Sequence, residues 1–199
     1  GTVRGKIAFA RAGLPFEQLL VVAMQVSEHN GMYYSPFDMT SAGPRAFVDR
    51  EGMFELPLSA GDYKLLVVDL ACNATIHFDE KKFAVLTGKA VQRDVTLDLV
   101  KLEVTLAPAA GVANTAAIDR LEVRFVPKAL KDMAEQWSGN EEYDNEQGMW
   151  LQPGQTTVHL TLPEGNVTLL ARANTMRLRT DDNRWNNPPV GRCEFEVGV

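Results

Sequence analysis

A stretch in the first half of this chain returns about a hundred residues later in altered wording. Phe54-Glu55-Leu56-Pro57-Leu58-Ser59-Ala60-Gly61-Asp62-Tyr63-Lys64-Leu65-Leu66 is echoed by Val158-His159-Leu160-Thr161-Leu162-Pro163-Glu164-Gly165-Asn166-Val167-Thr168-Leu169-Leu170. A unit repeated at that spacing reads as two copies of one domain. In 199 residues each copy has just enough chain to bury a core of its own. The division predicted is 1–99 and 100–199.

The periodicity is that of strands. Val3, Gly5, Ile7 and Phe9 fall on one face and Arg4, Lys6 and Ala8 on the other. The second copy answers with Leu102, Val104 and Leu106 against Glu103 and Thr105. Leu121, Val123 and Phe125 alternate with Glu122 and Arg124, as Phe54, Leu56 and Leu58 do with Glu55 and Pro57. Such alternation predicts antiparallel sheets with one wet face, and an all-β fold. Asp49-Arg50-Glu51-Gly52 has the residues of a hairpin corner, matched in the second copy by Pro153-Gly154. Gly61 and Gly165 each suggest a second tight turn. Pro57 removes a ladder donor, which places its strand at an edge or a bulge.

Parity locates the junction. Apolar positions are odd at Val95, Leu97 and Leu99 and even at Val100, Leu102, Val104 and Leu106. A strand changes face only at a bulge or where it enters another core, so one copy ends near Leu99 and the next begins near Val100. No Gly-, Pro- or Ser-rich linker intervenes, which predicts a stiff joint. One segment departs from the strand pattern: Ala129, Leu130, Met133, Ala134 and Trp137 recur at helical spacing between Lys128 and Ser138. With the acidic, basic-free stretch 139–148 that follows, it reads as an insertion near 126–156, one short helix and a polar loop.

Bulk properties exclude some functions. The net charge of −6 divides as −2 over 1–99 and −4 over 100–199, without the basic stripe of a nucleic-acid binder. The longest wholly apolar run, Leu19 to Met24, is far short of the roughly 20 residues that span a bilayer. The chain opens on Gly1 with no charged-then-apolar leader, as a chain trimmed of an export signal would. Cys72 and Cys193 occupy non-equivalent places, so they are not a repeated bridge, although a bridge between the copies stays open. Cys193 shares parity with Phe195 and Val197 and reads as a small buried hydrophobe.

In the first copy, Val3-Arg4-Gly5-Lys6-Ile7, Gly13-Leu14-Pro15, Asp49-Arg50-Glu51-Gly52-Met53-Phe54 and Ala60-Gly61-Asp62-Tyr63 follow one another as strand, turn, corner and turn. That order resembles the carboxypeptidase regulatory-like domain. The second copy matches mainly through the first, lacking the Asp-x-x-Gly corner and the Tyr. The resemblance implies two tandem transthyretin-like, or prealbumin-like, β-sandwiches. It implies a non-enzymatic spacer, folding partner or binding module of an exported or cell-surface bacterial protein. An extracytoplasmic location, periplasmic, cell-surface or secreted, follows from the resemblance alone, and no catalytic apparatus or cofactor comes with it.

Several residues have chemistry to weigh. Trp137, Tyr143 and Trp150 surround the insertion, and exposed loop aromatics favour recognition of a protein, peptide or carbohydrate partner. The competing reading packs Trp137 and Trp150 onto the sandwich, and Trp137 does fall on the helical apolar stripe. Trp185 raises the same question. His159 alternates outward and reads as a strand surface residue rather than a metal ligand. His29 lies beside Tyr33 and Tyr34 in a Gly-containing loop, a set too sparse in His for a metal site. The acidic stretch lacks the ligand spacing of a calcium loop. Leu19 to Met24 is apolar on both faces, so Leu20, Val22 and Met24 require a cover, and one within the chain is expected.

Overall fold

The computed structural model describes residues 1–26, 43–72, 74–107, 120–127, 149–152, 154–172, 178–179, 185–186 and 191–197. Among them the fold is all-β, and the helical content is a single 3-10 turn at Phe16–Gln18. The helix expected at Lys128 to Ser138 lies outside the described residues, as does most of the insertion.

Two sheets face each other in the first half. In one, β1 (Thr2–Phe9) pairs antiparallel with β4 (Met53–Pro57) and parallel with β8 (Ala90–Gln92) and β9 (Val95–Leu97). The parallel pairs depart from the purely antiparallel expectation, because the chain returns to β1 from the opposite sheet rather than through a hairpin. The other sheet runs β3 (Arg45–Phe47), β2 (Leu19–Gln25), β5 (Gly61–Asp69), β6 (Ala74–Phe78), with β7 (Phe83–Val85) also on β5. Alternation settles what lies between them. Val3, Ile7, Phe54 and Leu56 from one sheet meet Leu19, Val21, Leu65 and Val67 from the other in one core. Pro57 sits on β4, whose one partner is β1, so its missing N–H falls at an edge.

The turn at Asp49 forms, but it is not a hairpin. Asp49 Oδ1 accepts the amides of Glu51 at 3.0 Å and Met53 at 2.8 Å. The strands on either side, β3 and β4, belong to opposite sheets, so the corner carries the chain across the sandwich. Gly61 does the same between β4 and β5, with Tyr63 Oη donating to the Ser59 carbonyl at 3.3 Å. Local turn chemistry reports that the chain reverses; it carries no information about which sheet receives it.

The pairing pattern recurs in the second half. β10 (Leu99–Thr105) pairs with β13 (Thr157–Pro163) as β1 does with β4. β12 (Met149–Trp150), β11 (Arg120–Pro127) and β14 (Gly165–Arg172) lie side by side as β3, β2 and β5 do, with β17 (Gly191–Val197) beyond. A two-stranded piece, β15 (Leu178–Arg179) and β16 (Trp185–Asn186), completes the described strands. Gly61 and Gly165 hold φ of 156° and 154° at equivalent crossings, in a region that favours glycine.

Between the halves Asp98 alone separates β9 from β10. Leu99 accepts the Ala12 amide at 3.3 Å and is paired with Pro163, so the junction is bonded on two sides. Val95, Leu97 and Leu99 are buried while Val100, Leu102 and Val104 are half-buried, the change of face that parity predicts. One cluster of buried side chains runs from Val3 and Leu56 through Leu99 to Leu121, Val158, Leu162 and Val197. Strand β6 lies beside β11 along this boundary. On the other face of β2, Leu20, Val22 and Met24 join Leu66, Val68 and Phe78 in a second, separate buried cluster. The two-faced strand is therefore buried on both sides within one chain, as expected.

Candidate functional site

Of the three aromatic residues singled out in the sequence, Trp150 is described, and Trp137 and Tyr143 lie outside the described residues. Trp150 ends the two-residue strand β12, in register with Arg120 of β11, and is 63% exposed. It does not pack down into the core. A large indole held on a strand at the surface is a rigid, amphipathic contact surface that loses little entropy on binding. Trp185 sits in β16 opposite Arg179.

Two buried carboxylates away from Trp150, Asp69 and Asp79, are engaged in the framework. Asp79, just past β6 and 6% exposed, donates its amide to the Leu65 carbonyl of β5 at 2.9 Å and accepts the Leu65 amide on Oδ2 at 3.1 Å. Arg93 Nη2 donates to the same oxygen at 3.0 Å, and His77 Nε2 lies 3.2 Å from Oδ1. Burial pushes this carboxyl up, but His77, the Leu65 amide and Arg93 together outweigh it and hold it below the usual range. A carboxylate stabilised in that way is a poor proton acceptor. Its work is to tie β5 and β6 to the link between β8 and β9, where Arg93 also lies over the Phe83 ring and donates its amide to Arg4.

The chain at Arg93 passes so close over β1 that a Cβ on Gly5 would fall 1.8 Å from the Arg93 carbonyl oxygen. The Lys6 amide then donates to Asp94 Oδ1 at 2.9 Å. Gly5 keeps its inward place in the alternation because the backbone itself fills the space a side chain would need. No spacing motif announces this cluster, since Asp79 and Arg93 are 14 residues apart. Its legible trace is His77-x-Asp79 at the end of a strand, two residues that alternate onto one side.

Asp69 closes the turn into β6 by accepting the Ala71 amide at 2.9 Å and the Cys72 thiol at 3.3 Å. Burial raises the Asp69 carboxyl, and burial together with the Asp69 charge pushes the Cys72 thiol far up, so it stays protonated and unreactive. Both cysteines are free, which closes the question of a bridge between them. Cys193 is exposed, contrary to its parity reading. It does pair with the core residue Leu169, but it lies on β17, the outer strand of its sheet, which reaches the core cluster at Val197. His159 is a surface residue as expected, 3.9 Å from Glu103. His29 lies outside the described residues. Among the described residues no three His, Cys, Asp or Glu side chains gather in a way that could hold a metal ion. No helix among them is long and apolar enough to cross a membrane.

No protein-family model matches this chain. No curated protein matches it either. Among solved structures it is similar to the Bacillus anthracis TIE protein, with 14% identity and a TM-score of 0.32 over 99% of this chain and 31% of that one. A streptococcal ancillary pilin matches at 10% identity and a TM-score of 0.36, over 100% of this chain and 58% of the pilin. A DUF3823 family protein from Bacteroides ovatus matches at 12% identity and a TM-score of 0.32, over 97% of both chains. The chain spans less than two thirds of the first two of these proteins. At such identities and scores the matches are similarities only, and they assign neither family nor function.

Proposed function

We propose that this chain is a non-enzymatic structural module, two tandem sandwiches of the carboxypeptidase regulatory-like, transthyretin-like kind, from an exported or cell-surface bacterial protein. Its units are 1–99 and 100–199, the second with an insertion near 126–156. The observation that carries the reading is the unbroken buried cluster through the junction, where Asp98 is all that separates β9 from β10. A joint of that kind holds two units at a set distance and angle, as a spacer must. The recurrence of the pairing pattern supports the division into two units.

Spin labels on the exposed Cys193 and on a Leu86→Cys variant test it, since Leu86 is exposed in the first half and Cys72 is buried. One narrow distance distribution by pulsed electron resonance is expected. A broad or bimodal one would defeat the spacer reading.

A second reading is favoured by the exposure of Trp150: a carbohydrate- or peptide-binding module with its ligand on that indole. Binding on a glycan or peptide array that disappears in Trp150→Ala would support it, and arrays blank for both proteins would count against it.

A further inference from the structure

β1 and β10 hold equivalent places in the recurring pattern, but their far edges differ. β1 lies between β4 on one side and β8 and β9 on the other, and its inward residues Val3, Gly5 and Ile7 are all buried. β10 has β13 as its one strand partner among the described residues. Val100, Leu102 and Val104 share a face with Leu162, Leu160 and Val158, which are buried, yet they are themselves half-buried, as is Leu106. All four pack against the core, so water reaches them from the side away from β13. The backbone agrees. The Leu99 carbonyl accepts from Ala12 on that far side, whereas the Leu106 amide donates to Thr156 on the β13 side. Alternation then turns the backbone N–H and C=O groups of Lys101, Glu103 and Thr105 toward the far edge, in step with Leu99. Leu56 and Leu160 correspond in the repeat, and their partners Val3 and Leu102 set Lys101 and Glu103 where Thr2 and Arg4 stand. In β1 those groups are used: the Thr2 amide donates to the Lys89 carbonyl at 2.9 Å, and the Arg4 carbonyl accepts the Arg93 amide at 2.8 Å.

We propose that the far edge of β10 is a docking place for an extended segment of a partner polypeptide, laid parallel to β10 with Val or Leu at alternate positions. The first half supplies the template. There Val91 stands beside Val3 and Val95 beside Ile7, on strands parallel to β1, and Val95 and Leu97 belong to the core. A segment of that pattern beside β10 takes the outward backbone groups of Lys101, Glu103 and Thr105 into a ladder and completes the burial of Leu102 and Leu106. Ala12 holds the edge at Leu99, so the segment starts beyond it. A row of outward backbone groups beside half-buried apolar side chains is the surface that strand addition uses. A second copy of this chain suits the place less well, because its own segment of this pattern is already bonded to β1.

The probe is a synthetic peptide with the sequence from Lys89 to Leu99, titrated into the whole chain and followed by calorimetry and by residue-resolved amide hydrogen exchange. Without peptide, the amides of Lys101, Glu103 and Thr105 should exchange fast, and those of Leu102 and Val104, turned toward β13, slowly. Saturable binding of the peptide should slow the first three roughly tenfold or more. Methylation of the peptide nitrogen at Arg93, the one that donates to Arg4 in the first half, should weaken binding roughly tenfold. A peptide of the same composition in scrambled order should not bind, and equal binding of the two would overturn the proposal in favour of plain apolar adsorption. Amides at Lys101, Glu103 and Thr105 as slow as their neighbours without peptide would also overturn it, since this chain would then fill its own edge. Protection that rises with the concentration of the chain alone, together with a dimer in sedimentation, would overturn it in favour of a second copy. So would fast exchange at all three amides with the peptide present at about 1 mM.

Discussion

Asp79 is nearly inaccessible to water yet ionised, because an imidazole, an amide and a guanidinium compensate for the hydration it has lost. Its carboxyl titrates below its unfolded value of about 3.9, so its contribution to stability is complete at neutral pH. That contribution is lost as pH falls below the unfolded value and through the lower folded one. Asp79→Asn is expected to lose about 2 kcal/mol at pH 7 in urea unfolding and to show a flatter acid limb than the parent protein. Asp69 acts with the opposite sign, since its raised carboxyl subtracts stability as pH climbs from the unfolded value through the folded one. Gly5 is limited by space rather than by backbone angle. Gly5→Ala should cost about 3 kcal/mol, read as a lowered melting temperature, because the atom it meets is backbone and has no rotamer to escape into. Neither constraint can be read from the residues alone, since each depends on a segment some ninety or fewer positions away being laid across β1 or β5.

Strands are where the sequence was most readable. The two-residue alternation in β1, β4 and β10 and the doubled apolar face of β2 all correspond to the observed burial. Alternation is a local property of a pleated chain, so it survives without knowledge of partners. What it omits is the partner and the position within the sheet. The corners at Asp49 and Gly61 looked like hairpins and are crossings between sheets, while Cys193 has core parity but lies on the outer strand. The second face of β2 supplies a direct contrast between burial and position. Leu66→Ala, at 0% exposure in that cluster, should cost about 2–5 kcal/mol by chemical denaturation. Phe47→Ala, on the neighbouring edge strand at 68% exposure, should stay within about 0.5 kcal/mol. Equal small losses would mean that the face is open in solution.

For the molecule as a whole, the repeat and the switch of parity at Leu99 are the marks in the residues behind the proposed division into two halves. The continuity of the core between them has no such mark, because a cluster joining Leu56 to Leu121 and Val197 is a three-dimensional fact without a local pattern. The site was legible only in part: Trp150 could be picked out as an aromatic near an insertion, but its exposed place on the edge strand β12 follows from the pairing with β11. Coupling between the halves has a convenient reporter, because all three tryptophans, Trp137, Trp150 and Trp185, lie in the second half. Leu56→Ala places a core cavity in the first half, worth about 2–5 kcal/mol. The decisive measurement is urea unfolding of that variant followed by tryptophan fluorescence and by far-ultraviolet circular dichroism. A continuous core predicts that the fluorescence midpoint falls by on the order of 1 M urea together with the dichroism midpoint. An unmoved fluorescence transition, with a separate earlier loss of dichroism, would contradict it.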